Sequence, residues 1–137
     1  MDAARQVLTE MRDFEASRRQ SRDSEHAHFL AVLEAMKGVR EALQEFIDLM
    51  TTGLIGTTHE SAKMTVGFSN MRLVFRWEHS GQPFEIEFVP GGPHLSYKKT
   101  NRPYVQLHYD FEEEIPQSAL RVVSETVSHL IQGRSPP

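Results

Sequence analysis

Not one of the 137 residues is a cysteine. Disulfides, thiolate zinc sites and cysteine nucleophiles are therefore excluded. The composition fits a reducing cytoplasm, which is the expected location. No apolar run approaches the ~18 residues that a membrane span requires, so no membrane role is expected. The opening "MDAARQVLTEMRDFE" has acids and no apolar stretch, and is not expected to act as a signal peptide. Positive charge is not in excess either. A net charge of -4 counts against a dedicated nucleic-acid binder.

The remaining composition, 39% hydrophobic and 25% charged, is that of an ordinary globular chain. Its length suits one domain able to bury a core without staples. Three regions are expected: a helical dimerisation or interaction region over 1–50, an α+β domain over 51–132 that continues the second helix, and a disordered tail over 133–137, "GRSPP".

In "HFLAVLEAMKGVREALQEFIDLM", Phe29, Val32, Met36, Val39, Leu43, Phe46 and Met50 alternate in steps of three and four, the a/d seam of a coiled coil. Leu33, Ala35, Ala42, Ile47 and Leu49 widen the stripe beyond a two-stranded seam. Such a helix is expected to touch both a sheet of its own domain and a further helix. The glycines of "TTGLIGTT" end it. Upstream, Ala4, Val7, Leu8, Met11 and Phe14 form a narrower stripe.

The joint "SRRQSRDS" (17–24) is polar and lacks Gly and Pro. Ser21, Asp23 or Ser24 can N-cap a second helix and make an αα-hairpin, which is the preferred arrangement. The alternative is one long helix with Arg18, Arg22 and Glu25 as an inward polar layer, roughly 70 Å long, which must project and find a partner.

Residues 63–111 alternate with period two. The runs "KMTVGF", "MRLVFRWEH", "FEIEFV", "HLSYK" and "YVQLHYDF" read as a five-stranded antiparallel meander with one covered face. "SN", "SGQP", "PGGP" and "KTNRP" supply the turns. Parity suggests Phe68 opposite Met71 across Ser69-Asn70, Val66 opposite Leu73, Met64 opposite Phe75, Phe75 opposite Phe88, Trp77 opposite Ile86, and Arg76 beside Glu87 outside. "PQSALRVVSETVSHLIQ" closes the chain as a helix with Leu120, Val123, Val127 and Leu130 inward. The expected fold is two-layer α+β: a long N-terminal helix or αα-hairpin, the meander, and a C-terminal helix packed on one sheet face.

Chemistry is sparse. His26 and His28 are two apart and diverge on a helix. No HExxH or carboxylate-rich spacing points to a metal, and no cofactor is expected. "PGGP" joins strands without a helix N-terminus to cradle phosphate. Glu112, Glu113 and Glu114 read as charge at a helix N-terminus. No serine stands in a GxSxG or SxxK arrangement. One candidate binding face remains: His94, Lys98, Tyr104 and His108, which converge on the outer sheet face if Tyr97 pairs with Val105. Arg12, Arg18, Arg19 and Arg22 are possible phosphate contacts, but acids interleave with them.

The expected function is a non-enzymatic protein–protein interaction module, an adaptor, chaperone or inhibitor of a larger machine. It is expected to be homodimeric through its N-terminal helices, with the seam Phe29–Met50 as the interface and another protein as second partner. The alternative is a nucleic-acid-binding accessory protein using the arginines. An enzyme or ligand site at His94 and His108 is third.

Overall fold

The joint at 17–24 does not break. Asp2–Gly53 form one continuous helix, α1, which spans about 78 Å at 1.5 Å per residue. The computed structural model describes residues 2–91 and 94–134, and within α1 every side chain but that of Ser21. A capped break at the joint was the preferred arrangement, and the structure corrects it. An N-cap stabilises a new helix by about 1 kcal/mol. A break here would interrupt several i→i−4 hydrogen bonds in a stretch with no Gly or Pro to demand it.

Five strands follow: β1 (Lys63–Ser69), β2 (Arg72–His79), β3 (Gln82–Gly91), β4 (His94–Lys99) and β5 (Val105–Gln106). They form one antiparallel sheet in sequential order. A single 3-10 turn, Glu112–Glu114, leads into α2 (Ile115–Ile131). The architecture is α+β. α2 contacts α1, and both helices pack on the sheet face that carries the core.

That face holds Met64, Leu73, Phe75, Trp77, Ile86, Phe88, Leu95 and Leu107, all buried. Against them α1 sets Val32, Met36, Val39, Leu43 and Ile47. Four of the seven seam residues are thus spent inside the chain, and Phe29, Phe46 and Met50 are half-buried. As a partner interface this seam is corrected: at 0–1% exposure Val32, Met36, Val39 and Leu43 present nothing to a second molecule. The width of the stripe is explained by its two neighbours, sheet and α2. The approach of the helices is close at Gly38, where a Cβ would lie 3.0 Å from Pro116 Cγ. α2 turns Ile115, Ala119, Val123, Thr126 and Val127 inward, while Leu120 and Leu130 stay half-buried. Buried Thr126 donates its hydroxyl to the Val122 carbonyl, 2.8 Å away.

The inward parity of the strands is as the alternation predicts, but both hairpin registers differ by two residues. The first turn is Asn70-Met71, both at positive φ (53° and 61°), the geometry of a tight I′ turn. It sets Phe68 opposite Leu73, Val66 opposite Phe75 and Met64 opposite Trp77. The second is Ser80-Gly81, at φ 56° and 73°. It sets Phe75 opposite Ile86, Trp77 opposite Phe84 and Arg76 opposite Glu85. Each turn sits one residue from its expected place, so each register moves by two and the faces are preserved.

The fifth strand is shorter than "YVQLHYDF" suggests. Tyr97 pairs with Val105 as expected, and the Leu107 N–H reaches the Leu95 carbonyl at 2.8 Å. There the Tyr109 hydroxyl accepts from the Leu95 N–H at 3.2 Å, so a side chain replaces the ladder. Phe111 is exposed, not inward. Gly92 and Pro93, the centre of the expected "PGGP" turn, lie outside the described residues. So do 135–137 of the expected tail; Gly133, at φ 71°, ends α2.

Two substitutions follow from this packing. Leu43→Glu is expected to abolish the far-ultraviolet signal and the cooperative melt rather than merely dissociate an assembly, because it buries a charge in the chain's own core. Ser80→Asn gives the second hairpin an Asn-Gly turn and is expected to raise stability by about 0.5–1 kcal/mol. Gly81→Val should lower it by about 1–2 kcal/mol, both read from denaturant midpoints.

Candidate functional site

The first half of α1 leaves the body. From Asp2 to Ala27 every described side chain is exposed. Within this arm Val7, Leu8 and Met11 are each 54% exposed and Phe14 64%. They repeat at steps of one, three and three, a stripe as narrow as a coiled-coil seam. The sequence presents this stripe plainly. What it does not present is that the wider stripe downstream is already covered.

The arginine cluster lies on the same arm. Arg12, Arg18, Arg19 and Arg22 are all exposed and span about 120° of the helix circumference at 3.6 residues per turn. Glu15 lies within that arc. Arg18 sets its guanidinium 5.9 Å from the centre of the Phe14 ring.

Where the arm meets the body, α1 is bracketed on two sides. On one, His28 Nδ1 lies 3.2 Å from Glu112 Oε1. A hydrogen bond from the Glu112 backbone, then the one to His28, holds the Glu112 carboxyl below the usual carboxylate range. The carboxylate run therefore meets α1 as well as the start of α2. On the other side, the β1–β2 hairpin tip stands off α1 and leaves a groove of about 510 Å³ lined by Leu33, Met36, Lys37, Arg40, Phe68 and Met71. Phe68 and Met71 remain 43% and 42% exposed at its lip, not covered by the helices as the alternation suggests.

The outer sheet face gathers two of the expected residues around a carboxylate. Tyr104 donates its hydroxyl to Glu87 Oε2 at 2.9 Å, and Arg72 Nη1 lies 3.1 Å from Glu87 Oε1. The Lys98 ammonium sits 5.5 Å from the centre of the Tyr104 ring. Lys98 and Tyr104 therefore do meet, around Glu87, which parity set beside Arg76 instead, and Arg72, which the sequence did not single out. His94 and His108 lie one step past the Leu95–Leu107 contact, at positions that the Tyr97–Val105 register sets opposite one another. Among the described residues neither imidazole is hydrogen-bonded. The nearby ion pairs of Arg76 with Glu85 (3.4 Å) and Glu78 (3.5 Å) are solvated, worth about 0–1 kcal/mol each.

A second histidine pair had no sequence signal. His59, from the loop after α1, stacks on His79 with ring centres 4.6 Å apart, and Trp77 lies 6.3 Å from it. His79 Nε2 is 3.2 Å from the Thr58 carbonyl oxygen. Among the described residues no three His, Asp or Glu side chains converge as a metal site would require. None of the helices there is long and apolar enough to cross a membrane.

Glu87 raises the Tyr104 phenol above its ordinary value, first by accepting its hydrogen bond and then by charge. A raised folded value stabilises the neutral phenol: the contribution is complete below the unfolded value near about 10 and is lost as pH rises through the folded one. Absorbance at 295 nm should show one tyrosine ionising late, and Glu87→Ala should return it to the ordinary range.

No family model, curated protein or solved structure matches this chain.

Proposed function

We propose that this chain is a non-enzymatic protein-interaction module that dimerises through its N-terminal helical arm. The observation that carries the proposal is the arm itself, some 26 residues of helix (2–27) with none of its described side chains buried by the body and an apolar stripe along one side. Left bare, such an arm forgoes the main source of helical stability in proteins, the packing of an amphipathic face. Val7, Leu8, Met11 and Phe14 each contribute about 1.5–3 kcal/mol when fully buried. Eight such side chains in a dimer stand against an association cost of about 4–15 kcal/mol. That balance suits a reversible dimer. The sheet domain then serves as a rigid base, and a second protein bound by the assembled arms makes the role that of an adaptor, chaperone or inhibitor, in a reducing cytoplasm.

Light scattering coupled to gel filtration is expected to give twice the chain mass at tens of micromolar. Met11→Asp with Phe14→Asp should halve it while leaving the thermal unfolding of the body in place. A wild-type monomer at that concentration removes the proposal. Should the arm instead bind DNA or RNA through Arg12, Arg18, Arg19 and Arg22, with affinity falling steeply in salt, the accessory nucleic-acid role takes its place.

A further inference from the structure

The arm stripe and the groove beside the β1–β2 hairpin are two halves of one contact. At 3.6 residues per turn, Val7, Leu8, Met11 and Phe14 lie about 60° around α1 from Leu33, Lys37 and Arg40, the groove residues of α1 that are not fully buried. One continuous helix thus carries an apolar ridge near its start and an open groove near its middle, within a sixth of a turn of one another. A second copy running the opposite way matches ridge to groove twice, once at each end of a two-fold axis.

We propose that the dimer is antiparallel, each arm lying in the partner's groove between α1 and the β1–β2 hairpin. This rests on the dimer reading above and gives it a geometry. The axis passes between Arg22 and Asp23, so facing residues have numbers that sum to about 45. Met11 and Phe14 then flank the partner's Leu33, with Phe14 turned toward the partner's Phe68 and Met71. Leu8 lies beside the partner's Lys37.

Charge complementarity selects this arrangement. In an antiparallel pair, residues on the same flank of each helix meet. Arg5 therefore comes beside the partner's Glu41, and Arg12 beside the partner's Glu34, which already meets Lys37 of its own chain at 3.2 Å; all four are exposed. At the axis Arg22 meets the partner's Asp23. A parallel pairing would stack Arg18 on Arg18 and Arg22 on Arg22. It would also end at Phe29, where the chain's own sheet begins to cover the seam. Only a few apolar layers would remain, and both grooves would stay empty.

The absence of cysteine makes a clean test possible. Residues 8 and 37 of one chain are about 44 Å apart along the same helix, far beyond the ~7 Å limit for a disulfide. Mixing full-length Leu8→Cys and Lys37→Cys chains under mild oxidation should give a covalent heterodimer, with little product from either chain alone. Glu41→Arg should weaken the dimer several-fold, up to about tenfold. Adding Arg5→Glu should restore it, which a fold defect would not allow. A Leu8→Cys chain that cross-links with itself, in a protein that remains dimeric, overturns the antiparallel arrangement and leaves the dimer. A protein that sediments as a monomer overturns both.

Discussion

Everything in the fold depends on the seam where α1 lies across the sheet. Val32, Met36, Val39, Leu43 and Ile47 meet Leu73, Phe75, Ile86, Phe88 and Leu95, and α2 presses in from the side with Ala119, Val123 and Val127. Without this seam the meander has one apolar face and nothing to cover it. Since α1 supplies the cover from its second half only, its first half is held straight out by the continuity of the helix. The projection of the arm is therefore a consequence of core packing. A helix anchored over about four turns, from Val32 to Ile47, transmits its direction to the turns that are not anchored.

The two ends of the described surface differ in kind. Around the outer sheet face charges are locally paired, Arg72 with the largely buried Glu87 and the more exposed Arg76 with Glu85. Along the arm and the hairpin lip, large apolar side chains stand about half in water, from Val7 to Phe14 and again at Leu30, Phe68 and Met71. Single exposed apolar residues are normal on a protein, whereas a periodic row of them on a free helix marks a surface built to be covered. The contrast is what turns the functional argument from chemistry to association.

Much of the fold was legible from periodicity. Alternation of step two placed Leu73, Phe75, Trp77, Ile86 and Phe88 on one face, and steps of three and four placed Val32 to Leu43 on another. The pairing of Tyr97 with Val105 was likewise reachable from parity. The hairpin registers were not. They turn on which two residues take positive φ, and Asn70-Met71 has only one good left-handed former, so its composition does not announce the turn. The Tyr104–Glu87–Arg72 cluster was hidden by the same error, since it draws on three separate segments and on a register two residues from the expected one.

By itself, then, the sequence determined the class of fold, the order of its elements and the inward side of each. Those follow from local period, because a side chain's face is set by its position within its own helix or strand. Only the tertiary structure decided that α1 runs unbroken, that its wide stripe is consumed within the chain, and that its narrow one is left bare. A period records that a face is apolar and is silent about which neighbour covers it. That choice belongs to the packing of sheet and helices together, where burying Val32 and Leu43 at home leaves Val7 to Phe14 exposed.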